Sequence, residues 1–156
     1  MRTERIQVEN MEFVNEMKIC FQARSENESF ARVAVVSFLT YLNPTLEEIE
    51  DIKTAVSEAV TNAIVHGYEE EASAIVYVSG MIYRDEEGYL LQIIVEDTGK
   101  GIDDISKAME PMYTTRPELE RSGMGFAFME AFMDQVEVIS ALGKGTSVIM
   151  RKKISR

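Results

Sequence analysis

Ser57-Glu58-Ala59-Val60-Thr61-Asn62-Ala63-Ile64-Val65-His66-Gly67 closes an amphipathic segment that runs from about Leu46 to His66. Its apolar positions Ile49, Ile52, Val56, Ala59, Val60 and Ala63 recur at helical spacing. Glu58 and Asn62 are four residues apart, so they share one helix face, with Cβ atoms about 5–6 Å from each other. A carboxylate there can accept a proton, and an amide oxygen can ligate a hard cation such as Mg2+. From spacing alone, a solvated pair on a surface helix remains the simpler account.

Upstream, Thr45 and Glu48 have the form of a capping box that opens this helix, and Pro44 closes the one before it. Ser25-Glu26-Asn27-Glu28 forms a second candidate box, followed by Phe30, Val33, Ala34, Phe38 and Leu42 at helical spacing. Phe13, Met17, Ile19 and Phe21 show the alternation of a half-buried strand. Cys20 in that strand reads as a small buried hydrophobe, and a lone cysteine allows no disulfide within the chain. Residues 1–12 are polar and weakly patterned, and read as a flexible N-terminal extension.

Downstream, two strands are expected over residues 74–83 and 89–96, joined by Asp85-Glu86-Glu87-Gly88. A long stretch punctuated by Gly and Pro covers 97–125, the length of a functional lid. A helix over 126–133 and a hairpin around Gly143-Lys144-Gly145 complete the chain. The order β-α-α-β-β-loop-α-β-β implies an α/β (α+β) two-layer sandwich, with helices on one sheet face. One domain over 13–156 accounts for it.

The chain has 156 residues, enough for a single hydrophobic core, and 46% are hydrophobic. With 27 acidic and 16 basic residues the net charge is −11, which argues against direct nucleic-acid binding. No apolar run approaches the roughly 20 residues of a membrane span. Met1–Arg5 lacks the apolar stretch of a secretory signal, so the expected location is cytoplasmic.

Two further clusters carry chemistry. Asp97-Thr98-Gly99-Lys100-Gly101-Ile102 follows an apolar strand, where a carboxylate can accept from an exocyclic amine and glycines let backbone approach a flat ring. Arg121-Ser122-Gly123-Met124-Gly125-Phe126 opens a helix, where backbone N–H groups and the helix dipole favour phosphate. Arg121 adds a charge for a terminal phosphate. Each cluster alone is also compatible with an ordinary tight turn. Neither is a Walker loop or a dinucleotide fingerprint.

In this order, Glu-x-x-x-Asn, Asp-x-Gly-x-Gly and Gly-x-Gly resemble the Bergerat ATP-binding fold: a mixed, mostly antiparallel sheet covered on one face by helices, with an ATP lid loop. Within that superfamily, the stand-alone serine kinases match best. The strings Ser25–Val33, Ser57–Ile64 with His66–Glu70, and Thr114–Phe126 resemble the anti-sigma F factors of spore-forming bacteria. The N-terminal extension and residues 71–88 depart from that pattern.

The resemblance implies ATP and Mg2+ as cofactors, and a role for each residue. Asn62 would ligate Mg2+. Asp97 would bind the adenine amino group with Gly99, Gly101 and Thr146. Thr115, Ser122, Gly123, Met124 and Gly125 would line the phosphates, Arg121 would neutralise the γ-phosphate, and Glu58 would be the general base. It also implies a sigma F type sigma factor as partner, an anti-anti-sigma protein as the substrate phosphorylated on serine, and a homodimer. Arg32 would lie on the partner surface. A general-stress type of the same kinase, a non-catalytic ATP-dependent sequestering module and a detached histidine-kinase domain remain alternatives.

Overall fold

A computed structural model describes residues 6–67, 74–102 and 125–154. Five strands form one sheet in the order β1-β2-β3-β5-β4: β1 (Glu12–Gln22), β2 (Ile75–Asp85), β3 (Gly88–Asp97), β4 (Gln135–Ala141) and β5 (Gly145–Ile154). Every pairing among them is antiparallel, so the described sheet contains no parallel pair. Helices α1 (Asn27–Leu39), α2 (Leu46–Asn62) and α3 (Gly125–Phe132) cover one face. Among the described residues no helix is long and apolar enough to cross a membrane.

The core lies between these layers. From the sheet come Val76, Val78 and Ile82 on β2, Leu91, Ile93 and Val95 on β3, and Val148 and Met150 on β5. From α2 come Ile52, Ala55, Val56, Ala59 and Val60, which confirms the face read from its apolar spacing. The capping box at its start also forms. Glu48 N–H donates to Thr45 Oγ1 at 3.1 Å, and Thr45 N–H donates to Glu48 Oε1 at 2.8 Å.

The helix α1 departs from expectation in two ways. Its buried side is Ala31, Val35 and Leu39, whereas Phe30 and Val33 are 51% and 65% exposed. The segment is apolar on nearly every side, so spacing alone admits two faces. Packing against the sheet and α2 selects the side that carries Ala31, Val35 and Leu39. Phe38 lies over Gly80 of β2, where an added Cβ would sit 3.1 Å from its ring. Nor does Ser25 cap the helix through its side chain. Glu28 N–H bonds the Ser25 carbonyl at 3.1 Å, and the Glu28 side chain turns inward to accept from Thr61 on α2.

In β1, Met17, Ile19 and Phe21 face the helices, but a bulge between Phe13 and Asn15 turns Phe13 to the opposite face, 54% exposed. Cys20 is exposed rather than buried. Its side chain belongs to the sheet face that the helices leave open, which alternation within one strand does not distinguish. That face also holds a buried arginine. Arg151 donates to Gln92 at 2.7 Å, Gln135 at 2.9 Å and Glu137 at 2.8 Å, joining β3, β5 and β4.

Candidate functional site

Glu58 and Asn62 occupy the last two turns of α2, both half-buried. Directly after Asn62 the helix widens into one π-helical stretch, Ala63–Gly67, that packs against β3 and β5. At the junction the Ala63 N–H is shared between the Ala59 and Val60 carbonyls, four and three residues back. Such π turns cluster at functional sites because they re-aim the side chains around them.

Two side-chain bonds tie α2 to α1 beside these residues. Thr61 donates to the buried Glu28 carboxylate, and Arg32 Nη1 donates to Ser57 Oγ at 3.0 Å. Glu28 and Arg32 are four apart on α1, as Ser57 and Thr61 are on α2. The two rungs therefore set the rotation and axial position of the turns that carry Glu58 and Asn62. Arg32 is thus a half-buried strut, and its bond to Ser57 uses one of five guanidinium N–H donors.

The second part of the site lies at the end of β3. Asp97 is 8% exposed, and the register sets it opposite Thr146 of β5, itself opposite Ser140 of β4. The three side chains make one lateral row on the helix-covered face. Asp97 Oδ1 accepts from Gly99 N–H at 2.9 Å, and the carboxylate also accepts from the Thr146 N–H. Burial pushes the Asp97 carboxyl above the usual carboxylate range, and these two backbone donors pull it partly back. A buried acceptor with lone pairs beyond those two bonds is suited to a flat ring bearing an exocyclic amine.

The loop after Asp97 is seated on the β4–β5 turn. Gly143 N–H donates to the Lys100 carbonyl at 2.7 Å, and Ile102 N–H donates to Ser140 Oγ at 2.8 Å. Gly101 has φ +78, and a Cβ there would fall 2.0 Å from the Ala141 carbonyl oxygen. The need for glycine at 101 is thus met within the protein itself, by the close passage of β4. Gly125 is buried at the start of α3, which packs on α2.

The structure therefore brings Asp97, Gly99, Gly101 and Thr146 together, and sets Glu58 and Asn62 on successive turns of α2. Thr115, Arg121, Ser122, Gly123 and Met124 lie outside the described residues, as does most of the 97–125 loop. Ser140 was not singled out from sequence, and Ser57, Thr61 and Glu28 were named only within motif strings or, for Glu28, as part of a capping box, not as site residues. Counting outward from the Leu142–Lys144 turn pairs Ser140 with Thr146, which is the signal that finds it.

Residues 21–152 match the family model of the histidine kinase-like ATPase domain. An anti-sigma F factor of Clostridium perfringens is 56% identical over 141 residues, 90% of this chain and 98% of that protein. The chain belongs to the anti-sigma F factor family. The anti-sigma F factor of Clostridium acetobutylicum is 57% identical over 90% of the chain and 95% of its own length. That of Oceanobacillus iheyensis is 56% identical over 91% and 94%. Among solved structures, the RsbU and RsbW domains of Rv1364c from Mycobacterium tuberculosis superpose with a TM-score of 0.65 at 19% identity, covering 92% of this chain and 33% of that one. At that identity the likeness is one of fold, and it agrees with the five-stranded sheet and helical layer of this family member.

An ATPase domain of this family binds ATP, and the donor set here fits it. The buried Asp97 acceptor beside Thr146 suits adenine. The single amide oxygen of Asn62 suits Mg2+, which takes one or two protein ligands and completes its octahedron with phosphates and water.

Proposed function

We propose that this chain holds a sigma F type sigma factor away from RNA polymerase and, using ATP and Mg2+, phosphorylates a serine of an anti-anti-sigma protein in the cytoplasm. The observation that carries the reading is the buried Asp97 at the end of β3, in a chain more than half identical to anti-sigma F factors along nearly all its length. In this reading Asp97, Gly99, Gly101 and Thr146 hold the adenine. Asn62 orients Mg2+, and Thr115, Arg121, Ser122, Gly123, Met124 and Gly125 surround the phosphates.

Bound ATP supplies the phosphoryl group, activated by the metal ion. The Glu58 carboxylate takes the proton from the incoming serine hydroxyl as the serine oxygen bonds to the γ-phosphorus and the bond to ADP breaks. Phosphoryl transfer is mostly positioning and charge neutralisation, so this small set of groups suffices. The strut from Arg32 to Ser57 supports the helix that holds the base.

The outer side of α1 is the proposed partner surface. Phe30, Val33 and the nearby Tyr41 are 51%, 65% and 53% exposed, and Arg32 lies beside them with donors beyond the Ser57 bond. A homodimer would present two such surfaces. The net charge of −11 makes protein partners, rather than nucleic acid, the fitting class.

The test is incubation with γ-labelled ATP, Mg2+ and an anti-anti-sigma protein, followed by phosphosite mapping. Label on one serine that disappears in Glu58→Gln supports the kinase. Absence of label with ATP still bound replaces it with a sequestering module.

A further inference from the structure

Ser140 stands at a junction that no role so far uses. Its hydroxyl oxygen lies 2.8 Å from Ile102 N, 2.9 Å from the Gly145 carbonyl oxygen and 2.7 Å from Thr146 Oγ1. It has one proton to give. The Ile102 N–H can only donate and the Gly145 carbonyl can only accept. Only one arrangement satisfies all three contacts: Ser140 donates to Gly145 and accepts from both Ile102 and Thr146. The Thr146 hydroxyl proton therefore points at Ser140. What Thr146 Oγ1 presents elsewhere is lone pairs alone.

We propose that Ser140 is a positioning residue for nucleobase selectivity: it makes Thr146 an obligate acceptor beside the Asp97 carboxylate, and ties the Gly101–Ile102 backbone to the same row. This rests on the reading of Asp97 and Thr146 as the adenine site. Two neighbouring acceptors welcome the 6-amino group of adenine. They repel the 6-oxo group of hypoxanthine or guanine, which offers no proton there. Without Ser140, the Thr146 hydroxyl rotates and donates to a 6-oxo group, and the Ile102 N–H loses its partner.

The test is direct binding of ATP and of inosine triphosphate, which differ in that 6-substituent, by displacement of a fluorescent ATP analogue from the full chain. Ser140→Ala should lower the preference for ATP over inosine triphosphate by about tenfold, the scale of one lost hydrogen bond. Ser140→Thr, which keeps the hydroxyl, should retain the preference. Should the alanine variant not fold, Ser140→Cys, close in size and a poor hydrogen-bond partner, should show the same loss. An unchanged preference in a folded Ala or Cys variant overturns the proposal. So does an equal loss of affinity for both nucleotides, since a purely structural role weakens both alike. If the unmodified protein itself does not prefer ATP, or if Asp97→Ala leaves ATP affinity intact, the adenine site is misplaced, a failure distinct from that of Ser140.

Discussion

Alanine at Gly145, compared with alanine at Gly143, separates backbone strain from steric conflict at the site. Both glycines have positive φ, +84 and +77, so an alanine at either pays about 1–2 kcal/mol for the left-handed conformation. They differ in what surrounds them. A Cβ at 143 meets nothing within 4 Å. At 145 it falls 2.1 Å from the Asp97 carbonyl oxygen and 2.7 Å from Thr98 Cα, more than an ångström inside ordinary contact with the oxygen. Backbone atoms cannot swing aside as a side-chain tip can, so the β3 end has to move, at a further cost of about 1–3 kcal/mol. That movement carries the Asp97 carboxylate and the Gly145 carbonyl that Ser140 bonds. Urea denaturation should place Gly145→Ala about 2–5 kcal/mol below the unmodified protein, with ATP affinity down about tenfold or more. Gly143→Ala should lose only the strain and bind ATP normally. Gly145→Ala less stable than Gly143→Ala by the expected further amount of about 1–3 kcal/mol, yet with ATP affinity preserved, would refute the assignment of the β3 end to the nucleotide.

Glu58→Gln should lower serine phosphorylation about 10²–10⁴-fold while leaving ATP affinity within a small factor, as nucleotide titration and initial rates would report. Asn62→Ala should instead raise the Mg2+ concentration needed for ATP binding, with metal-free nucleotide affinity little changed. Thr61→Val removes a donor from the buried Glu28 and should cost about 1–3 kcal/mol in urea denaturation, whereas Thr61→Ser should restore it. The nucleotide-free protein should lose stability as pH rises from the ordinary Asp pKa through the raised value of Asp97. Between those values the folded state binds more protons than the unfolded one. Asp97→Asn should flatten that slope; an identical slope in both proteins would assign the effect to other groups.

Much of the fold was legible because α2 carries a one-sided signal and the strands before and after Glu86-Glu87 are apolar runs around a polar turn. Ile52, Val56 and Val60 allow a single buried face, and Thr45 with Glu48 marks where the helix starts. The helix α1 was not legible in that way. Phe30, Ala31, Val33, Ala34, Val35 and Phe38 wrap it, and the choice between Phe30 and Ala31 as the buried position depends on how near the sheet and α2 come. Cys20 and Phe13 were misjudged or incompletely read for a related reason. A strand's alternation defines two faces but not which one the helices cover, and the bulge after Phe13 shifts the phase between them. At the site, Asp97, Gly99 and Gly101 stood out as a motif, whereas Ser140 lies more than forty positions from Asp97 and joins it only through two strand pairings.

By itself the sequence determined the order of elements, the helix that bears Glu58 and Asn62, and the membership of an ATP-binding family, because each is written in local spacing or in contiguous strings. Only the tertiary structure decided which face of α1 is buried and which groups stand beside the turns that bear Glu58 and Asn62. It alone set Asp97, Thr146 and Ser140 in one row with a single consistent direction of hydrogen bonding. Those features depend on register between strands and on the approach of one helix to another, and such distances are properties of the packed chain rather than of any segment within it.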